Sequence, residues 1–256
     1  MSLPSIPSPA PADTFAKRLQ DIRARIDAAC ARAGRAPGSV ALLPVSKTFD
    51  AGRIRAAAAL GLHRFGESRM QEVREKASQL QDIPAQWVVI GHLQTNKAKD
   101  AAALAGEVQS LDRLDLAAAL DRRLRQLGRT LDVLVQVKTA SEPSKFGLEP
   151  AALPDFLQAV AQDFPALRVR GLMTLATNSD DPAIVRGCFR RLRELRDTLR
   201  THPAGAGLQR LSMGMSGDFE LAIEEGSTEV RIGSALFGAR DYGPAQNPPP
   251  RGRAAA

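Results

Sequence analysis

Lys47 is the residue whose type and position most directly suggest chemistry, because it ends an apolar segment, 40–47, that is typical of a buried strand. Strand side chains alternate between two faces, and one face carries Ala41, Leu43, Val45 and Lys47. If that face is buried, the lysine is partly desolvated, its pKa falls and its neutral amine can attack an aldehyde. The alternative is a strand-end lysine that extends into solvent, and position alone does not decide between the two.

Two loops in the last part of the chain have the composition of a phosphate site. Residues 212–217 (SMGMSG) combine two glycines with the hydroxyl of Ser216, and Gly233 with Ser234 follows the last apolar segment. Small residues let backbone N–H groups approach a phosphate closely. Either cluster alone is equally typical of a plain turn.

The segment that leads into Gly233 has one charged and one apolar side. At the spacing of a strand, Glu229 and Arg231 share a face with Gly233, whereas Val230 and Ile232 turn outward. This pattern predicts that the two charged side chains point to the inside of the fold.

Strand-like and helix-like segments alternate along the chain, which favours parallel βαβ units. The predicted strands are 40–47, 64–68, 87–94, 107–112, 131–139, 168–176, 209–213 and 229–237. The predicted helices are 13–32, 51–60, 70–80, 96–105, 114–127, 153–163, 183–200 and 219–225. This order indicates an α/β fold, a (β/α)8 TIM barrel with an extra N-terminal helix, whose functional residues lie at the carboxyl ends of the strands. No dinucleotide-binding or P-loop motif favours an open sheet.

We expect one barrel domain, residues 13–240, between two disordered, Pro-rich tails, residues 1–12 and 241–256. Asp13 is the predicted N-cap of the first helix. Neither a signal peptide nor an apolar stretch of the roughly 20 residues that span a bilayer is recognisable. Cys30 and Cys188 lie far apart, so we expect no disulfide framework, no metal site and a reducing, cytoplasmic location. We also expect a monomer without membrane contact.

The net charge of +7 requires a nucleic-acid-binding alternative to be weighed. The basic residues are interleaved with acidic ones, as in 190–200, and aromatic residues, on which bases stack, make up only 4% of the chain. Both features are more typical of a solvated basic surface, and we expect no nucleic-acid partner.

Seven short motifs follow one another along the chain. They are residues 43–48 (LPVSKT), 65–68 (FGES), 90–97 (IGHLQTNK), 144–147 (SKFG), 170–173 (RGLM), 211–216 (LSMGMS) and 226–238 (GSTEVRIGSALFG). Together they resemble the pyridoxal phosphate homeostasis protein family over about residues 13–240. The resemblance implies the barrel of the alanine racemase N-terminal domain and the cofactor pyridoxal 5′-phosphate (PLP).

The same resemblance implies a set of cofactor-binding residues. These are Lys47 for a Schiff base with PLP, Ser216, Gly233 and Ser234 for the phosphate, Arg231 facing the pyridine nitrogen, and Met213 and Ser212 in the surroundings. Ser68 stands where family members commonly have Asn, so a contact from this shorter side chain is left open.

Two further lysines compete for the aldehyde. Lys138 ends the fifth predicted strand, where it shares a face with Gln136 and Leu134, and Lys145 lies in the following loop. We rank Lys47 first, Lys145 as an auxiliary charge near a phosphate or a ligand carboxylate, and Lys138 as structural.

An arginine opposite the pyridine nitrogen disfavours a protonated ring, because it gives up no proton, and the ring is then a weaker electron sink. This suppresses transaminase-like chemistry, but a two-base racemase could still work with such a ring. Alanine racemase, however, needs a tyrosine from a second domain, whereas the single tyrosine of this sequence is Tyr242, in the expected tail. His92, at the end of the third predicted strand, is more typical of a rim residue than of a substitute base.

These features predict a non-catalytic protein that binds PLP, protects it and delivers it to apo-enzymes. The alternatives are a PLP-dependent amino-acid racemase with weak activity and a barrel that binds a phosphorylated metabolite or RNA noncovalently.

Overall fold

The computed structural model describes residues 11–140, 142 and 145–238. Within them lie eight strands: β1 (Ala41–Pro44), β2 (Arg64–Glu67), β3 (Gln86–Val89), β4 (Ala105–Leu111), β5 (Leu131–Gln136), β6 (Leu167–Met173), β7 (Arg210–Ser212) and β8 (Glu229–Ile232). All pair in parallel in the order β1-β8-β7-β6-β5-β4-β3-β2. Because the first and last strands are neighbours, the sheet curls into the predicted α/β barrel.

The barrel closes at a short seam between β1 and β2. Val45 forms one isolated parallel bridge with Gly66, and the Ser46 N–H donates to the Gly66 carbonyl at 3.0 Å. The (β/α)8 TIM barrel is therefore confirmed, and its seam lies directly before Lys47.

Nine α-helices lie in the described part of the chain. They are α1 (Pro11–Arg32), α2 (Ala51–Ala59), α3 (Met70–Gln79), α4 (Ala98–Leu104), α5 (Leu114–Gln126), α6 (Leu153–Asp163), α7 (Pro182–Leu199), α8 (Phe219–Glu224) and α9 (Ser234–Phe237). The helix predicted at 96–105 is instead a 3-10 turn, Thr95–Lys97, followed by α4. No described helix has the length and apolar character that crossing a membrane requires.

The extra N-terminal helix is confirmed, but α1 begins at Pro11 and continues through Asp13. Asp13 is therefore not its N-cap, and the first helix begins two residues before the predicted position. The remainder of the two predicted tails lies outside the described residues, as does Tyr242.

Several strands are shorter than predicted at their carboxyl-terminal ends. β3 ends at Val89 rather than at residue 94, and β5 ends at Gln136 rather than at residue 139. The loops that follow are themselves buried, as at Leu93, Val137 and Ala140. Apolar character therefore continues after the backbone has left the sheet, and periodicity alone could not locate the strand ends.

Side chains of the strands form two layers, and β8 shows the division. Val230 and Ile232 are fully buried in the apolar core between sheet and helices. Glu229 and Arg231 lie on the other face: Glu229 accepts from Gln109 of β4, across the barrel, and Arg231 donates to Ser212 of the neighbouring β7. The faces predicted for this strand are confirmed, and charged side chains lie in the barrel interior.

Candidate functional site

Lys47 lies in a turn directly after the seam of the barrel. The Phe49 N–H donates to the Ser46 carbonyl at 3.0 Å, so Lys47 and Thr48 are the two central residues of the turn. β1 itself ends at Pro44, and Lys47 is half-buried. The lysine thus lies at the rim, as predicted, but on a turn rather than on the strand.

Arg231 lies one level deeper, on the strand next to β1, where it pairs with Leu43. Its side chain is buried and donates to the Ser212 hydroxyl and to the Thr174 carbonyl, each at 2.8 Å. Burial lowers the pKa of Arg231 to about 10, although the carboxylates of Glu229 and Asp218 oppose that shift. The guanidinium therefore remains protonated at neutral pH and can only donate hydrogen bonds.

A chain of hydrogen bonds runs from Arg231 into the barrel. Ser212 accepts from Arg231 and donates to the Gln109 side-chain oxygen at 2.7 Å. The Gln109 amide nitrogen in turn donates to the carboxylates of Glu107 and Glu229. Each donor has one defined direction, so this chain fixes the rotamer of Arg231 from below.

The chain ends on four charges that we call the arginine–glutamate ring: Arg64, Glu107, Arg210 and Glu229. Each arginine bonds both carboxylates, at distances of 2.6 to 3.1 Å for the shortest contact of each pair. Burial alone would raise the pKa of Glu229, but the guanidinium groups of Arg210 and Arg64 outweigh it and lower the pKa. Three of the four residues begin their strands, so the ring closes the amino-terminal end of the barrel.

The loop after β7 holds Ser216, half-buried, inside a tight turn. The Asp218 carboxylate accepts the Met215 N–H at 2.5 Å, and the Asp218 N–H donates back to the Met215 carbonyl at 3.1 Å. Gly214 has a φ of +96°, and a Cβ there would lie 2.6 Å from that of Ala222. Only glycine fits at this position, which lets the backbone of the loop pack directly against α8.

Gly233 and Ser234 follow β8 on the same rim. Gly233 is buried, and a Cβ there would meet the Val45 carbonyl at 3.4 Å. Ser234 is exposed and begins the four-residue α9. Because β7, β8 and β1 are adjacent in the sheet, the two loops and the Lys47 turn follow consecutive strands.

Met213 and Ser68 lie at the edge of this arrangement. Met213 is fully buried in the core between sheet and helices, so its side chain faces away from the interior into which neighbouring Ser212 points. Ser68 is half-buried directly after β2, and its carbonyl would lie 2.3 Å from a Cβ at Gly91. A cofactor contact from either side chain stays a prediction.

The competing lysines are both ion-paired at the rim. Lys138 lies 3.1 Å from Glu149, and Lys145 lies 3.1 Å from Glu142. Ser144 is outside the described residues, so the motif around Lys145 is only partly visible. The ranking of the three lysines stays a prediction.

His92 is a rim residue, as expected, although it lies in a loop because β3 ends at Val89. Its ring stacks on Phe146 with centroids 4.1 Å apart, and its Nδ1 is 3.6 Å from an Asp112 carboxylate oxygen. The described contacts therefore account for the histidine without a role as a base.

Sequence reasoning missed Gln109, Glu107 and Asp218. A signal was present for the first two, because Glu107 and Gln109 alternate with buried Val108 on a strand and so share its opposite face. No comparable signal exists for Asp218, whose contact with Met215 depends on the conformation of the loop.

Comparisons with known proteins match this geometry to a family. The model of the family "Alanine racemase, N-terminal domain" matches residues 18–241. The "Pyridoxal phosphate homeostasis protein" of Pseudomonas aeruginosa is 45% identical over 230 residues, which cover 90% of this chain and 97% of that protein.

Solved structures agree with the sequence comparison. PipY of Synechococcus elongatus, solved with PLP bound, superposes with a TM-score of 0.78 at 36% identity and covers 88% of this chain and 100% of its own. An alanine racemase of Clostridium difficile shares the fold alone, with a TM-score of 0.70 at 14% identity over 88% of this chain and 56% of its own. The chain therefore belongs to the pyridoxal phosphate homeostasis protein family, whose barrel is that of the alanine racemase N-terminal domain.

Proposed function

We propose that this protein binds PLP, holds it as a Schiff base on Lys47, and keeps and delivers the cofactor within the cell. One observation carries the proposal: a rim lysine and two glycine-containing loops follow three consecutive strands of one barrel, and a buried arginine lies on the middle strand. The family membership supports it, since a relative of 36% identity is known with PLP bound.

The residues of the rim fit the parts of PLP. Ser216 and the backbone of Gly233 and Ser234 supply donors for a phosphate, and Gly214 lets the loop that holds Ser216 pack against α8. Arg231 supplies a buried donor for a pyridine nitrogen that is not protonated. When bound, PLP contributes an aldehyde that condenses with amines and a ring that can accept electrons.

The reaction at Lys47 is a condensation that its position allows. The neutral amine adds to the aldehyde carbon, and loss of one water molecule leaves a carbon–nitrogen double bond. Addition of water reverses the reaction and releases the cofactor unchanged. Reversibility without any net oxidation or group transfer is what a carrier requires.

We infer a carrier rather than an enzyme from the environment of Arg231. Its side chain stays protonated and is committed to donating, so it cannot protonate the pyridine ring. A pyridine ring without that proton stabilises a carbanion poorly, which disfavours transaminase-like chemistry at the bound amino acid. The name of the Pseudomonas relative, a homeostasis protein, agrees with this inference.

We also propose a cytoplasmic monomer that meets apo-enzymes directly. Cys30 and Cys188 are both free and buried, as is usual in a reducing compartment. The recipients would be enzymes that use PLP and have lost it.

An absorption spectrum with matched lysine variants tests the binding proposal. Added PLP should produce a visible Schiff-base band in the parent protein and in Lys138→Ala and Lys145→Ala, but not in Lys47→Ala. Borohydride should fix the cofactor on the peptide that contains Lys47. Absence of a band in the parent protein, even at saturating PLP, would refute the proposal.

Two measurements separate a carrier from a racemase. Chiral analysis of L-alanine incubated with PLP-loaded protein should show no enantiomer beyond a Lys47→Ala control. Reactivation of an apo-enzyme should be faster when the loaded protein is mixed with it than when a dialysis membrane separates them. Rapid racemisation that depends on Lys47 would overturn the carrier assignment.

A further inference from the structure

The turn that carries Lys47 has a strained residue in it. Thr48 has a φ of +69° and is the only non-glycine residue with positive φ in the described part of the chain. It occupies the third position of the turn, where a positive φ ordinarily calls for glycine or asparagine. For a β-branched residue this conformation is unfavourable and persists only where the surroundings impose it.

Charged side chains from β2 and α3 impose this conformation. We call Glu67, Glu72 and Lys76 the lysine clamp. Glu72 Oε2 accepts the Thr48 N–H at 2.7 Å, and Lys76 Nζ donates to the Ser46 carbonyl at 2.9 Å. The clamp therefore holds the backbone on both sides of Lys47.

The clamp is fixed internally by the remaining donors of Lys76. Its Nζ also donates to Glu67 Oε1 at 2.7 Å and to Glu72 Oε2 at 3.0 Å. Glu67 Oε1 in addition accepts the Ser46 hydroxyl at 2.6 Å. Glu67 is fully buried and Lys76 nearly so. All three ammonium hydrogens are thus committed, and the ammonium group is held in one place.

We propose that Glu72, with Lys76 and Glu67, is a positioning residue that holds Lys47 in the orientation needed for Schiff-base formation. The inference rests on the proposed role of Lys47 and extends it to residues that do not touch the cofactor. The hydrogen bond to Thr48 compensates a backbone conformation that would otherwise relax and change the direction of the Lys47 side chain.

Glu72 variants paired with Thr48→Gly test this role. Glu72→Ala removes the acceptor of the Thr48 N–H, whereas Glu72→Gln keeps an acceptor without the charge. Glycine adopts a positive φ without strain, so Thr48→Gly should make the clamp unnecessary. Glu75→Gln is the matched control, because Glu75 is an exposed glutamate on the same helix whose carboxylate accepts from Gln71 and does not contact the turn.

Two readouts separate positioning from binding. The rate of Schiff-base formation is followed by stopped-flow absorbance, and noncovalent affinity is measured with 4′-deoxypyridoxine 5′-phosphate, which has no aldehyde. Glu72→Ala should slow imine formation at least about tenfold, since small misplacements of a reacting group have large rate effects. Its affinity for the analogue should stay within about twofold of the parent, because no phosphate or ring contact has changed.

Rescue decides the outcome. Glu72→Gln and the double variant Glu72→Ala/Thr48→Gly should both recover to within about threefold of the parent rate, and Glu75→Gln should be unchanged. If Glu72→Ala forms the Schiff base at the same rate as the parent, the inference is overturned, although Lys47 remains the attachment point. A slow variant that Thr48→Gly does not rescue also overturns it, because the loss is then not due to the turn. Failure of the parent to form the band would instead refute the proposed function.

Discussion

The arginine–glutamate ring and the lysine clamp are both buried charge clusters, but they differ in how completely they are satisfied. In the ring, two arginines face two carboxylates, and Gln109 adds a further donor to each carboxylate. In the clamp, one lysine faces two carboxylates, and Glu67 Oε2 has no hydrogen-bond partner among the described residues. The ring is balanced in charge, whereas the clamp carries an excess of negative charge.

The chemistry of the cations adds to this difference. Arginine keeps its proton under all ordinary conditions, so the cations of the arginine–glutamate ring cannot adjust their charge. In the clamp, burial raises the pKa of Glu67 despite the nearby Lys76 ammonium, so that carboxyl can take up a proton at modest cost. The charge cluster below Arg231 therefore keeps its cations at all ordinary pH values. The lysine clamp that holds the turn of Lys47 can instead change its charge, because Glu67 can take up a proton.

The largest effect is expected when the ring is broken. Glu229→Gln leaves two arginines sharing one carboxylate in the barrel, and loss of one partner from a buried charge cluster costs about 3–5 kcal/mol of unfolding free energy. Asp132→Asn is the matched control, since Asp132 also faces two arginines, Arg168 and Arg170, but on the surface. It should cost less than about 1 kcal/mol. Urea unfolding measures both, and equal losses would show that burial of the ring is unimportant.

A smaller loss is expected when the clamp is broken. Lys76→Met leaves Glu67 buried without its cation, but protonation of Glu67 limits the penalty to about 1–3 kcal/mol near neutral pH. Lys99→Met, on an exposed position of α4, should change stability by less than about 0.5 kcal/mol. The stability of Lys76→Met should recover towards that of the parent as the pH is lowered to 5. If the loss of unfolding free energy in Lys76→Met does not depend on pH, Glu67 does not take up a proton as inferred.

Removing Ser212, which links Arg231 to the arginine–glutamate ring, should lower the unfolding free energy by a still smaller amount. Ser212→Ala leaves the Gln109 oxygen without its donor and should cost about 1 kcal/mol. Ser110→Ala is the matched control on the same strand as Gln109, because the buried Ser110 hydroxyl has no hydrogen-bond partner among the described residues. Its removal should be close to neutral. The absorption maximum of the bound cofactor should shift in Ser212→Ala only; an unchanged maximum would mean that Arg231 does not depend on the chain.

The contributions of the two clusters to the unfolding free energy should change with pH in opposite directions. We expect this to be the smallest of the predicted effects. The pKa of Glu229 is lowered in the folded protein, so its contribution is present above the unfolded value of about 4.3 and is lost as the pH falls. The pKa of Glu67 is raised, so its contribution is present at acid pH and declines as the pH rises above about 4.3.

Urea titrations between pH 3.5 and 7 test this contrast. The stability advantage of the parent over Glu229→Gln should grow with pH, whereas its advantage over Glu67→Gln should shrink. The same sign for both variants would show that the two clusters do not differ in the way proposed.

Much of the barrel could be predicted from local pattern. The segment 153–163 was predicted with the bounds of α6, and the inward face of β8 followed from the alternation of Glu229 and Arg231 with two apolar residues. Strand ends could not be predicted, because buried loops such as the one at Leu93 continue the apolar pattern. The lysine clamp could not be predicted from the sequence either, because Glu72 and Lys76 have the i,i+4 spacing of an ordinary surface pair on a helix.

The sequence by itself determined the order of eight strands, the faces of β8 and the candidate lysine at the rim, because these depend on spacings of a few residues. Only the tertiary structure decided which charges meet. Arg64 and Glu229 are 165 residues apart and bond because β2 and β8 flank β1 in one closed barrel, with both side chains turned to the interior. Likewise, Lys76 reaches the turn of Lys47 only because α3 packs beside the seam. Closure of the sheet brings together charges whose separation along the chain carries no local signal, and those charges hold the two ends of the proposed cofactor site.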